Sequence, residues 1–190
     1  MLNNCRNDFP TLQGDNPPAY LDNACVTLKP QSVIDSIHRY YTETPGCGGR
    51  SVHRYGTAVS KAVADARTKL GSFLNAATPN EIVFTRNATH SINQIAHGMT
   101  WSKGDVVLTS DREHNSNLVP WLQLEQEQGI DHRVVPSQAD NSFDMEAFEA
   151  ACADAGERLK MVAMSHVGNL DGVEIPIAEV TKVAHDHGAL

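Results

Sequence analysis

The sequence has no apolar run approaching the roughly 20 residues needed to span a bilayer, and its opening, MLNNCRNDFP, carries neither the basic nor the apolar stretch of a secretory leader. The expectation is a cytoplasmic protein with no membrane partner. C-x-x-C spacing is missing too. Cys5, Cys25, Cys47 and Cys152 are scattered, which indicates neither a zinc knuckle nor a disulfide framework, so reduced thiols are expected. No block of one charge sign occurs: 15 Lys+Arg against 23 Asp+Glu give a spread net charge of -8, with no basic stripe to follow phosphodiesters. Nucleic acid is therefore not an expected partner. Repeats and low-complexity linkers are absent, and no G-x-G-x-x-G follows the first predicted strand, which argues against a Rossmann-like nucleotide binder. What is there is 190 residues, 41% hydrophobic and 20% charged, a globular composition sufficient for one sizeable core.

The first part of the chain predicts two helices. QSVIDSIHRYYTE, 31–43, follows a proline and sets Val33, Ile34, Ile37 and Tyr41 at helical spacing. After a glycine-rich break, TPGCGGRSVHRYG, comes the alanine-rich TAVSKAVADARTKLGSFLN. From Glu81 the pattern alternates. EIVFT, DVVLTS, DHRVVP and KMVAMSH read as strands, separated by the helical ATHSINQIAHGM, NLVPWLQLEQEQG and MEAFEAACADAG, with IAEVTKVAHDHG as a last helix. Such alternation predicts an α/β fold: a mostly parallel sheet with helices on both faces and ligands at the carboxyl ends of its strands.

Three loops leave those predicted strand ends: RNATHS, DREHNSN and SHVGNLDG. In the first, Ala88 and Thr89 open a helix, where free N–H groups and the helix dipole favour a phosphate. In the second, His114 offers a flat ring that can stack on a planar ligand or move a proton. In the third, Asn169 can donate to an anionic or phenolic oxygen. Together they describe a phosphorylated aromatic cofactor.

The segments YLDNACVTLKPQSVID, GRSVH, EIVFTRNATHSIN, GDVVLTSDREHNSNLVPW and SHVGNLDGVEIPIAEVTKVAHDHGA, in this order, resemble the N-terminal portion of the class V aminotransferase family of pyridoxal-phosphate enzymes. Within it they look most like cysteine desulfurases and selenocysteine lyases. The resemblance implies a fold type I large domain, incomplete at the C-terminus. Residues 1–56 then form an N-terminal segment and helix, and 57–190 the front part of the large cofactor-binding α/β domain. It implies pyridoxal 5'-phosphate as cofactor, with Ala88 and Thr89 holding the phosphate, His114 stacking on the ring as the catalytic residue, and Asn169 near the phenolic oxygen. Arg50 and His53 match a loop near the substrate. L-cysteine as substrate, a sulfur-acceptor protein, a homodimer and a role in iron-sulfur cluster assembly are implied in the same way.

The sequence departs from the family pattern at Gly168, where serine is usual, and at Cys25 and Val26. The family's aspartate facing the pyridine nitrogen, its Schiff-base lysine and the desulfurase cysteine all match positions beyond Leu190. A different class V activity (selenocysteine lyase, epimerase or aminotransferase) and an inactive truncated product with an open edge at GAL are the alternatives. Plainer readings stand beside each residue: His114 as a helix cap or solvent-facing residue, Thr89 as an N-cap, Asn169 as turn chemistry, His166 as a core histidine and Cys25 as a small packed residue. Cys47 is open among glycines but has no nearby base, and His185 and His187 lie on different helix faces, so no metal site is expected.

Overall fold

A computed structural model describes residues 5–190, which group into two compact units meeting in sequence at Phe84 and Thr85. In the first, two short 3-10 turns, Cys5–Asp8 and Pro10–Leu12, precede α1 (Gln31–Glu43) and α2 (Arg54–Phe73). α1 begins after Pro30, whose extended backbone suits the residue before a helix. It buries none of its residues, and Val33, Ile34, Ile37 and Tyr41 stand exposed. α2 starts at Arg54, ahead of the predicted Thr57, because the His53 side chain accepts from the Gly56 amide and caps the first turn. A Cβ on Gly56 would stand 2.5 Å from Ser51 Cβ, so this turn packs directly on the preceding loop.

EIVFT does not form the predicted strand. Ladder hydrogen bonds need a neighbour, and this segment joins no ladder. Instead the Ile82 amide donates to Pro79 O, and the Ile82 carbonyl accepts from Arg67 Nε at 3.1 Å.

The second unit holds the sheet: β1 (Val106–Ser110), β2 (Asp131–Val135) and β3 (Leu159–Val162), all parallel, in the order β2-β1-β3. Its helices are α3 (Ala88–Gly98), α4 (Val119–Gln128), α5 (Met145–Ala155) and α6 (Ile177–Asp186). Side chains alternate across a strand, and β1 divides accordingly. Val106 and Leu108 join Phe148 and Cys152 of α5 and Val180 and Ala184 of α6 in one core. Val107 joins Ala96 of α3, Trp121 and Leu124 of α4 and Met161 of β3 in the other. Every residue of β1 is buried, as a strand covered on both faces must be. Each fully buried Phe or Leu side chain contributes about 1.5–3 kcal/mol, so the two cores rather than helix propensity fix the layers.

β3 is shorter than the predicted KMVAMSH. Its ladder ends at Val162, and Ser165 turns out of the sheet to donate its amide to Glu113. On the far edge of β3, Leu190 exchanges backbone bonds with Lys160 and Val162.

Candidate functional site

The carboxyl ends of β1, β2 and β3 are joined by polar side chains. Glu113, three residues beyond β1, is the hub. Its Oε1 accepts from Ser110 Oγ at 2.7 Å and Ser165 N at 2.9 Å, and its Oε2 from Ser165 Oγ at 2.7 Å and Asn117 Nδ2 at 2.8 Å. Asn117 also donates to Ala163 O and accepts from Trp121 Nε1, which ties the hub to the core. The loop after β1 and the loop after β3 are thus held together by charge-assisted bonds.

Beside this hub the Arg112 guanidinium spans the loops after β2 and β3, reaching Ser137, Asn141 and Asp171. Asp111 closes the same edge by accepting from the hydroxyl and amide of Ser137 at 2.6 and 3.0 Å. Burial opposes its charge, but the Ser137 bonds and Arg112 outweigh that and hold the carboxyl below the usual aspartate range. Between these groups remains a cavity of only about 10 Å³, lined by Ser110, Arg112, Ser137, Ser165, Gly168 and Asp171. That space admits one water and nothing larger, so any larger ligand sits outside the network.

His114 follows Glu113 directly and is exposed. It caps the 3-10 turn Asn115–Asn117: its Nδ1 accepts from the Ser116 amide at 3.1 Å and pairs with Ser116 Oγ at 2.9 Å. The capping reading therefore holds, and it leaves room for the stacking one. With Nδ1 accepting, the neutral ring carries its proton on Nε2, and the ring is held at one edge. The same turn packs against α3. Ala88 and Thr89 are the first two residues of α3 and are exposed; the cap is Asn87, whose Oδ1 accepts from His90 N at 2.9 Å, so Thr89 is not the N-cap. Asn169 lies in the tight turn after β3, exposed, where Gly168 N donates to Val173 O and Gly172 N to Gly168 O. Arg50 and His53 belong to the unit ending at Phe84, where His53 caps α2.

Two further expectations differ from the structure. His166 is not a core histidine: its side chain is 54% exposed and faces Glu174 at 3.4 Å. Cys25 is not packed but exposed. Cys152 is the buried thiol, and burial, reinforced by Glu149, pushes it up to about 11. Sequence reasoning passed over Glu113, Arg112, Ser165 and Asp171. For Glu113 a signal existed, since an acidic residue just past an apolar strand needs donors; nothing in the sequence marked Arg112 and Asp171, which are 59 residues apart.

The donor set fits part of a pyridoxal-phosphate site. The amides opening α3 suit a phosphate, and the His114 ring, held at its edge, suits an aromatic ring. None of the chain's lysines, Lys29, Lys61, Lys69, Lys103, Lys160 and Lys182, lies in the loops after β1, β2 or β3.

The family model for aminotransferase class-V matches residues 19–190. The chain belongs to that family. A probable cysteine desulfurase of Synechocystis is 36% identical over 190 residues, covering 97% of this chain and 44% of that relative. A cysteine desulfurase of Dickeya dadantii is 36% identical over 194 residues, covering 99% of this chain and 46% of its own length. Among solved structures, the apo cysteine desulfurase of Thermococcus onnurineus superposes with a TM-score of 0.86 at 30% identity, over 97% of this chain and 45% of that one. The chain thus spans under half the length of these class V relatives.

Proposed function

We propose that the protein is a pyridoxal-phosphate-dependent cysteine desulfurase and that this chain supplies the part of the site that grips the cofactor's phosphate and ring. The observation carrying the reading is the placement of the His114 turn against α3, whose first amides are those of Ala88 and Thr89. Family membership and the similarity to cysteine desulfurases over nearly the whole chain support it.

In the reaction, L-cysteine and a protein thiol become L-alanine and a persulfide. The Cβ–S bond of the substrate breaks, the sulfur passes to the thiolate, and Cβ takes up a proton. Pyridoxal phosphate, held by Ala88, Thr89, His114 and Asn169, would supply an electron sink for the substrate. The α3 amides of Ala88 and Thr89 bind the phosphate, assisted by the Thr89 hydroxyl. His114 orients the ring by stacking and offers Nε2 as the atom that holds or moves a proton. Asn169 donates from its amide to the phenolic oxygen. Arg50 and His53 are the candidates for the substrate carboxylate.

A sulfur-acceptor protein, a homodimer, a contribution to iron-sulfur cluster assembly and a cytoplasmic setting complete the proposal. The exposed Val33, Ile34, Ile37 and Tyr41 on α1 support a surface covered by a second copy. Among the described residues no helix is long and apolar enough to cross a membrane. The test is alanine formation from L-cysteine by the protein carrying this chain, with pyridoxal phosphate and a thiol reductant present. Alanine and released sulfide should appear in equal amounts and fall on His114→Ala. Release of pyruvate and ammonia instead of alanine would sink the desulfurase reading.

A further inference from the structure

Arg112 touches the loop beyond each of the other strands. Its Nε donates to Ser137 Oγ at 2.9 Å and its Nη2 to Asn141 Oδ1, both after β2, while its Nη1 donates to Asp171 Oδ2 at 2.5 Å, after β3. A guanidinium is a planar fork with fixed donor directions, so acceptors placed on its three nitrogens fix one another. Asp171 is anchored from its own side as well, because its Oδ1 accepts from the Val173 amide at 3.1 Å. The Val173 bond and then Arg112 hold its carboxyl below the usual range, so it is charged at neutral pH.

The turn that carries Asn169 is wrapped around this carboxylate. Gly168 N donates to Val173 O at 2.8 Å and Gly172 N to Gly168 O at 3.0 Å, closing the loop on both sides of Asn169. A Cβ on Gly168 would stand 2.1 Å from Asp171 Oδ1, closer than any real contact allows. Gly168 is not among the positive-φ glycines, so what a side chain there would displace is the Asp171 carboxylate as it now stands. Two independent observations, the three-way guanidinium and the missing side chain, thus point to one arrangement.

We propose that Arg112 and Asp171 form a charged latch that sets the Asn169 turn over the strand ends, with Gly168 leaving the room it needs. Arg112 and Asp171 are positioning residues for the cofactor site. In this functional sense the latch rests on the reading that Asn169 meets the cofactor.

The test measures amide hydrogen exchange at Gly168, Gly172 and Val173 together with pyridoxal phosphate affinity, read by tryptophan fluorescence. Asp171→Asn should speed exchange at these amides by about three- to tenfold, with the amides of Val107 and Leu108 unchanged. Gly168→Ser should do the same, because its Cβ displaces the carboxylate. Arg112→Lys added to Asp171→Asn should bring little further change, since both act through one contact. Unchanged exchange in Asp171→Asn, or fully additive effects, overturns the latch. On the cofactor side, Asp171→Asn should weaken pyridoxal phosphate binding several-fold, yet cause no further loss in an Asn169→Ala background. Faster exchange with unaltered affinity overturns the positioning role. If the unmodified chain binds no pyridoxal phosphate, the proposed function fails, and the exchange data alone decide the latch.

Discussion

Replacing Glu113 with glutamine removes one of the two oxygens that receive Ser110 Oγ, Ser165 N, Ser165 Oγ and Asn117 Nδ2. The serine hydroxyls can rotate and accept from the new amide nitrogen. The Ser165 N–H and the Asn117 amide cannot. With nitrogen at the Oε1 position the Ser165 amide faces a donor; with nitrogen at the Oε2 position the Asn117 amide does. Either orientation leaves one N–H without its acceptor and takes the charge out of the bonds that survive, a cost of about 1–3 kcal/mol. Trp101 and Trp121 both lie in the unit that holds Glu113, so tryptophan fluorescence during urea unfolding reads that unit alone. Glu113→Gln should lower the unfolding free energy by that amount, and Glu113→Ala by at least as much. A loss below about 0.5 kcal/mol, the level of an ordinary surface change, would refute the hub.

Three further outcomes follow from the packing. Cys152, fully buried and with its thiol pushed up to about 11, should resist alkylation in the folded protein at pH 8 while Cys25 and Cys47 react, which mass spectrometry of labelled peptides reads. His132 has its pKa lowered from 6.5, chiefly by burial and against the pull of Glu125 and Asp131. The unfolded chain therefore binds the proton more readily, so His132 costs nothing well above pH 6.5 and reduces stability as pH falls below it through the folded value; urea midpoints for His132→Gln should show a shallower acid decline than the unmodified chain. Gly56→Ala places a Cβ 2.5 Å from Ser51 Cβ and should weaken the start of α2 by about 1–3 kcal/mol, seen as lost helical circular dichroism on heating.

The expected helices formed, and local signals account for several of their ends: Pro30 before α1, Asn87 before α3, Asp144 before α5 and the left-handed Gly129 after α4. EIVFT failed because a strand is a property of pairs, and local composition cannot say whether a neighbour exists. The site divides the same way. His114 and Asn169 were readable as loop residues beyond β1 and β3, and Ala88 and Thr89 as the opening of a helix, although the strand expected before that helix did not form; glycine at 168 was readable as an oddity. Its reason was not, since the crowding of Gly168 by the Asp171 carboxylate is a property of the folded turn, which Arg112 joins through Asp171, 59 residues away in the chain. Long-range polar pairing of this kind leaves no spacing in the sequence.

The most direct test titrates the chain with pyridoxal 5'-phosphate and follows tryptophan quenching, with inorganic phosphate as competitor. The account predicts saturable binding that phosphate displaces and that His114→Ala weakens several-fold, as loss of about 0.5–1.5 kcal/mol of ring stacking requires. Binding that never saturates, or equal affinity in His114→Ala, would contradict it.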